Sequence, residues 1–191
     1  MRRSIACVSS CLLGLAVAST ALAGPASAAV PGLQIVSATS PTNSNAKSIT
    51  ATCPAGKAVV GAGAQLTGGL GDVVIDDLRP TATTVTATGF ENGAVARNWN
   101  VRAFAICANP LPGLQIVSAT SPSNSNAKSI TATCPAGKAV VGAGALLNGG
   151  LGDVVIDEIV PSGTTVTATG FENGAVARNW NVRAFAICAT R

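Results

Sequence analysis

The segment from Pro31 to Asn109 is written twice. It aligns without a gap to Pro112 to Thr190 at an offset of 81, and only nine of the 79 aligned pairs differ. Such a chain folds as two copies of one unit, so a fold read for one copy holds for the other. The join, Ala108-Asn109-Pro110-Leu111-Pro112, is short and proline-rich, which predicts a restricted mutual orientation rather than a loose tether.

Ahead of the repeats, Arg2 and Arg3 precede an apolar run from Ile5 to Ala23, and Ala26-Ser27-Ala28 supplies small residues for cleavage. This is the pattern of a signal peptide. The expected organisation is therefore a signal peptide over 1–28, one β-module over 29–109 and a second over 110–191. Ala21-Leu22-Ala23 is a second cleavage candidate. The run is broken by Ser9, Ser10, Ser19 and Thr20 and falls short of a membrane span. The twin arginines lack the fuller context of a folded-protein export signal, which favours ordinary secretion to the extracellular space.

The remaining chain carries eight acidic and ten basic residues, a net charge of about +2 with no block of like charges. That is too weak a field to point to nucleic acid or an anionic membrane. Histidine is absent from the whole chain, which removes the commonest acid-base catalyst and metal ligand. The composition argues against an enzyme and implies no cofactor.

Four cysteines follow the signal peptide: Cys53, Cys107, Cys134 and Cys188. Four cysteines allow three pairings. Each copy carries two at the same spacing, and a lone ancestral module could bond only within itself, so Cys53–Cys107 and Cys134–Cys188 are expected. A loop of this length gains about 4 kcal/mol from closure in the chain-entropy model, which matters for so small a module.

Turn residues recur every eight to twelve positions, the rhythm of a sandwich or barrel. Strands are expected at Leu33–Thr39, Ser48–Cys53, Ala58–Leu66, Asp72–Leu78, Thr83–Phe90 and Asn98–Ala108, with equivalents in copy two. Period-two alternation places Ile49, Ala51 and Cys53 on one face, and Trp99, Val101, Ala103, Ala105 and Cys107 on another. The fold class is all-β: two tandem antiparallel β-sandwich modules, each with its own disulfide. Phe104 and Ile106 make the last strand apolar on both sides, so that strand is central or covered by the neighbouring module.

The stretch Gly61-Ala62-Gly63 invites a nucleotide-binding reading, but no third glycine or helix follows. Gly56-Lys57 precedes Ala58 where a phosphate-binding loop needs Ser or Thr, and "GGLGDVVID" lacks the aspartate of a calcium nonapeptide. The glycines are expected to mark close packing of a neighbouring backbone, or of a ring such as Trp99, against the strand.

The segments "GLQIVSATS", "KSITATCPAGKAVVGAGA", "GGLGDVVID" and "NWNVRAFAICA" together resemble secreted tandem "CPAGK…AICA" β-modules of high-GC Gram-positive bacteria such as streptomycetes. The resemblance covers nearly all of both copies. It implies export, tandem β-modules and the intramodule disulfide, and it implies no activity or catalytic residue.

Three groups of residues invite a surface role. Trp99 stands between Arg97 and Arg102, and Trp180 between Arg178 and Arg183, with asparagines alongside; stacking on a sugar ring with guanidinium donors is the chemistry expected. The alternative is a core tryptophan with solvated arginines. Asp72, Asp76 and Asp77, with Asp153, Asp157 and Glu158, could offer oxygens to calcium, but alternation sends Asp76 and Asp77 to opposite faces and nothing apolar marks one carboxyl for a raised pKa. Thr84, Thr86 and Thr88 form a hydroxyl row that suits a solvated sheet. Six of the nine differences, Gln65/Leu146, Thr67/Asn148, Asp77/Glu158, Leu78/Ile159, Arg79/Val160 and Thr81/Ser162, cluster on two strands and a turn and are expected to look outward.

The function expected from these residues is a secreted, non-enzymatic binding protein recognising an extracellular polymer or glycan. The alternatives are a structural adaptor that docks other secreted proteins by strand addition, or an inhibitor or toxin component.

Overall fold

The computed structural model describes residues 30–191; the expected signal peptide lies outside them. Module 1 contains β1 (Gln34–Thr39), β2 (Lys47–Thr52), β3 (Ala58–Thr67), β4 (Val73–Pro80), β5 (Thr84–Glu91) and β6 (Asn100–Ala108). Module 2 repeats them as β7 (Gln115–Thr120), β8 (Lys128–Thr133), β9 (Lys138–Asn148), β10 (Val154–Pro161), β11 (Thr165–Glu172) and β12 (Asn181–Thr190). The protein is all-β, as the alternation and turn spacing required, and the expected strands are found to within two residues at each end. Among the described residues no helix is long and apolar enough to cross a membrane.

Each module is two antiparallel layers. In module 1 the order is β1-β6-β3 in one layer and β2-β5-β4 in the other, and module 2 repeats both. The face containing Trp99, Val101, Ala103, Ala105 and Cys107 is fully buried and packs against the face of the other layer that carries Ala51, Val85 and Ala87. Cys53 and Cys107 bond across the layers with their Cα atoms 5.7 Å apart, and Cys134 and Cys188 do so at 5.8 Å. The small residues on β6 let the layers approach, and Trp99 extends the same buried face.

The layers do not stop at the module boundary. β4 pairs with β9 through Asp77↔Leu146 and Leu78↔Ala145, so the β2-β5-β4 layer of module 1 runs on into β9-β12-β7 of module 2 as one six-stranded sheet. The counterpart strands, β3 and β10, are not paired with each other and remain sheet edges. After the proline-rich join, Leu114 and Ile116 pack against the core of module 1 together with Ile187. The restricted orientation expected of the join thus has a physical basis in a strand pairing and a shared apolar contact.

Candidate functional site: the seam between the modules

The tryptophans belong to the core. Trp99 and Trp180 are both 0% exposed. The Trp99 indole N–H donates to Glu91 Oε1 at 2.9 Å, and the Lys47 ammonium sits 3.2 Å from the ring centroid. Burial lowers the Lys47 pKa and the Glu91 carboxylate opposes that shift. A side chain at Gly89 would come within 2.8 Å of the Trp99 ring, so it is Gly89, not Gly61 or Gly63, that makes room for the indole. Trp180 repeats the arrangement with Glu172 at 2.7 Å, Lys128 at 3.2 Å and Gly170.

The arginines do not join them. Arg97 pairs with Asp72 at 3.1 Å on a partly exposed loop, and Arg178 with Asp153. Arg102 points to the outer side of β6, where it donates to Ser37 Oγ at 2.6 Å and lies 4.9 Å from the Phe104 ring; Arg183 does the same with Ser118 and Phe185. Tryptophan inward and Arg102 outward follow from their odd separation along one strand. The sugar-stacking platform expected of Trp99, Arg97 and Arg102, and of Trp180, Arg178 and Arg183, is therefore corrected: these six residues do not converge, and neither ring has a free face.

The carboxylates need a second correction. The β4–β5 register shifts between Ile75 and Asp77, a β-bulge with Asp76 as the extra residue. A bulge puts two residues opposite one and breaks strict alternation, so Asp76 and Asp77 lie together rather than on opposite faces. Asp76 is 5% exposed. Burial, the neighbouring Asp77 charge and a hydrogen bond with Asp77 push its pKa up from 3.8 to about 7. Burial also raises Asp77, against the Thr88 hydroxyl, Arg79 and the Leu147 N–H. One oxygen of each carboxyl, Asp76 Oδ1 and Asp77 Oδ1, has no hydrogen-bond partner. Copy two has the same bulge, yet Asp157 and Glu158 are exposed. Among the described residues no three His, Cys, Asp or Glu side chains group to hold a metal. The hydroxyl row is a cross-strand ladder: Thr86 meets Thr50 at 2.8 Å, and Thr88 donates to Asp77 while its oxygen lies 3.1 Å from the Ser48 hydroxyl.

Module 2 is what buries Asp76. A methyl at Gly150 would stand 3.4 Å from Asp76 Oδ1, and one at Gly152 would strike the Glu91 carbonyl. On the other side, a methyl at Gly142 would lie 2.6 Å from the Val60 carbonyl oxygen, and one at Gly144 would strike the Leu78 carbonyl and Pro80 Cδ. The expected close backbone approach at the glycine pair thus occurs in copy two and is made by module 1. Gly61 is itself part of that approach, its Cα 3.0 Å from where a methyl at Gly142 would stand, whereas Gly63 meets only Phe104 of its own module.

Two different surfaces of the repeated unit therefore meet at the seam. Module 1 contributes a tail: Asp76, the Leu78–Pro80 end of β4, and Phe90–Glu91. Module 2 contributes a head: the outer side of β7, β9 and β12 with Ile116, Phe185 and Ile187, and the Leu151–Gly152 turn. Phe185 and Ile187 are 6% and 0% exposed there. Module 1 also brings β3 to the seam, since Val60 and Gly61 lie against Gly142, and the β3 and β10 edges face each other across a cleft beside it; part of each surface nevertheless has an uncovered counterpart. The unused head on module 1 carries Leu33, Ile35 and Leu70, all exposed, with Phe104 and Ile106 half-buried. The unused tail on module 2 carries exposed Val160, Pro161 and Phe171.

Two clefts flank the seam. One of about 650 Å³ is lined by Val59, Pro80, Leu111, Leu114 and Ile116, where the join crosses module 1. The other, about 460 Å³, lies between the free edges and is lined by Ala64, Leu66, Leu78, Ile156, Asp157 and Ile159. Seven of the nine differences between the copies fall on β3 and β9, β4 and β10, and the turns after β4 and β10. Gln65, Thr67, Arg79, Thr81 and Ala82 are exposed, whereas Leu78 and Ile159 pack against the cores of their own modules and Asp77 is half-buried. In one copy the varied surface is the seam itself, where Leu146 is half-buried against Asp77 and its counterpart Gln65 is exposed. No family model matches the chain, and no curated protein or solved structure matches it.

Proposed function

We propose that this protein is a secreted, non-enzymatic structural adaptor that docks extracellular protein partners through its free sheet edges and the apolar faces beside them. The observation that carries the reading is the unequal use of a duplicated surface. The chain uses one β4–β9 edge pairing and the apolar surface beside it to hold itself together, and leaves Leu33 and Ile35 beside the β1 edge, and Val160, Pro161 and Phe171 at the end of β10 and β11, exposed. Exposed strand edges with apolar surroundings are the usual template for adding a strand from another chain. Two intramodule disulfides suit an oxidising, extracellular setting. The glycan reading rested on Trp99 and Trp180, which are enclosed.

The test is capture from culture supernatant and cell wall by the immobilised chain from Ala29 onward, with Val160→Lys and Ile35→Lys as controls. Defined proteins should be retained by the parent chain, lost on one of the two variants, and unaffected by soluble polysaccharide. Retention of polysaccharide that free sugar competes away, unchanged in both variants, would overturn the adaptor reading in favour of the glycan one.

A further inference from the structure

We propose that the cleft between the β3 and β10 edges binds a short extended peptide of another secreted protein, one with apolar residues at alternate positions and a basic residue among those between them. This rests on the adaptor reading and gives the chemistry of its partner. The chain supplies its own precedent for strand addition at both walls of the cleft. β9, the copy of β3, is paired along its outer edge by β4 at Asp77↔Leu146 and Leu78↔Ala145. β10 is the copy of β4, so both edges that meet at the seam recur, and here neither β3 nor β10 has a second neighbour. The two do not pair with each other, and a cleft of about 460 Å³ lies between them, a size that suits a bound ligand. Backbone N–H and C=O groups along a sheet edge are strong donors and acceptors, and an extended peptide supplies the partners they lack.

The lining sets what such a peptide carries. Ala64 and Leu66 of β3, Leu78 of β4, and Ile156 and Ile159 of β10 line the cleft and also pack against the cores of their own modules. All five are only half-buried, so the floor of the cleft is an apolar continuation of both interiors. In a strand laid over such a floor every second side chain points down onto it, and those between face solvent. Asp157 is the one charged residue among those lining the cleft. It is the bulge residue of β10 and the counterpart of Asp76. Module 2 covers Asp76, but Asp157 is exposed and, among the described residues, in no ion pair. Glu158 beside it is exposed as well, so the rim is acidic, and a lysine or arginine on the peptide is the complementary group.

The experiment is fluorescence anisotropy and amide hydrogen exchange on the chain from Ala29 onward with two labelled hexapeptides, Val-Thr-Val-Lys-Val-Thr and the same peptide with glutamate in place of lysine. The lysine peptide should bind about threefold more tightly than the glutamate one, the scale of an exposed ion pair. Asp157→Lys should reverse that order and leave the melting temperature unchanged. Binding should slow exchange at amides of β3 and β10 and leave β1 and β8, the opposite edges of the same two sheets, as they were. The proposal is overturned if neither peptide binds, if protection falls on β1 or β8 in place of β3 and β10, or if the preference for lysine survives Asp157→Lys. Secreted proteins retained equally by the parent and Asp157→Lys, yet released by Ile35→Lys or Val160→Lys, would remove the cleft and leave the adaptor reading standing. Retention of polysaccharide that free sugar competes away would remove both.

Discussion

Gly63 and Gly144 hold equivalent places in their modules, but only Gly144 has another module's backbone against it. A methyl there would strike the Leu78 carbonyl and come within 2.6 Å of Pro80 Cδ, whereas at Gly63 the nearest atom is 3.7 Å away. Backbone cannot swing aside as a side-chain tip can, so overpacking of about 1–3 kcal/mol is the relevant scale. Gly144→Ala should therefore lower stability by that amount, and Gly63→Ala should change it by less than about 0.5 kcal/mol, as read by denaturant unfolding of the two variants. Equal effects would mean that the seam is not formed in solution. The tryptophans give a prediction of the opposite sense to the one that an exposed ring requires. Trp99 is fully buried and hydrogen-bonded to Glu91, so Trp99→Ala should cost about 3–5 kcal/mol. Calorimetry showing an unshifted melting temperature would return the ring to the surface. The alternation along "NWNVRAFAICA" placed Trp99 on the face of Cys107, which is the inward face; that signal was present in the residues, and the attraction of the flanking arginines pointed away from it.

At the scale of the element, β4 shows what alternation can and cannot carry. Its position, its antiparallel pairing class and its apolar inward residues follow from Val73, Ile75 and Leu78 and from the turn residues around them. The bulge at Asp76 does not, because an extra residue is specified by the fit of both neighbouring strands and not by a letter in one of them. Missing it sent Asp76 and Asp77 to opposite faces and hid the one strongly perturbed carboxyl. Asp76 titrates near its ordinary 3.8 when unfolded and at about 7 when folded. Between those values the folded protein binds more protons than the unfolded one, so stability falls as pH rises from about 4 to about 7 and then levels. Urea midpoints measured across pH 4–8 should show that decline, and Asp76→Asn should flatten most of it. A decline that persists in the asparagine variant would place its origin elsewhere. The glycine-rich stretch of β9 was legible in kind, as a site of close backbone approach, but not in which copy or by which neighbour, since both copies carry the same letters there.

For the whole molecule, the two modules share a sequence but not a dependence on each other. Module 2 hides Phe185 and Ile187 under module 1, and burial of two such side chains is worth about 3–6 kcal/mol relative to leaving them in water. That is comparable with the whole stability of a domain of this size, at roughly 0.05–0.15 kcal/mol per residue. Module 1 uncovers smaller apolar side chains on separation, Val60 and Pro80, whose counterparts Val141 and Pro161 are already exposed in module 2, and Asp76 and Asp77 regain water once the Gly150–Gly152 turn is gone. Expressed alone, residues 111–191 should therefore melt well below the full chain and associate through the uncovered head. Residues 30–110 should remain folded and should lose the fall in stability between pH 4 and 7. Each piece keeps its own disulfide and tryptophan core, so the comparison isolates the seam. If residues 111–191 prove as stable as the full chain, the heterologous contact contributes little, and duplication brought a second binding surface without a stabilising one. If both pieces instead lose stability equally, the two modules bury equivalent surfaces and the unused head and tail do not exist as such. An unequal loss, borne by the second module, is the outcome that a one-directional seam requires.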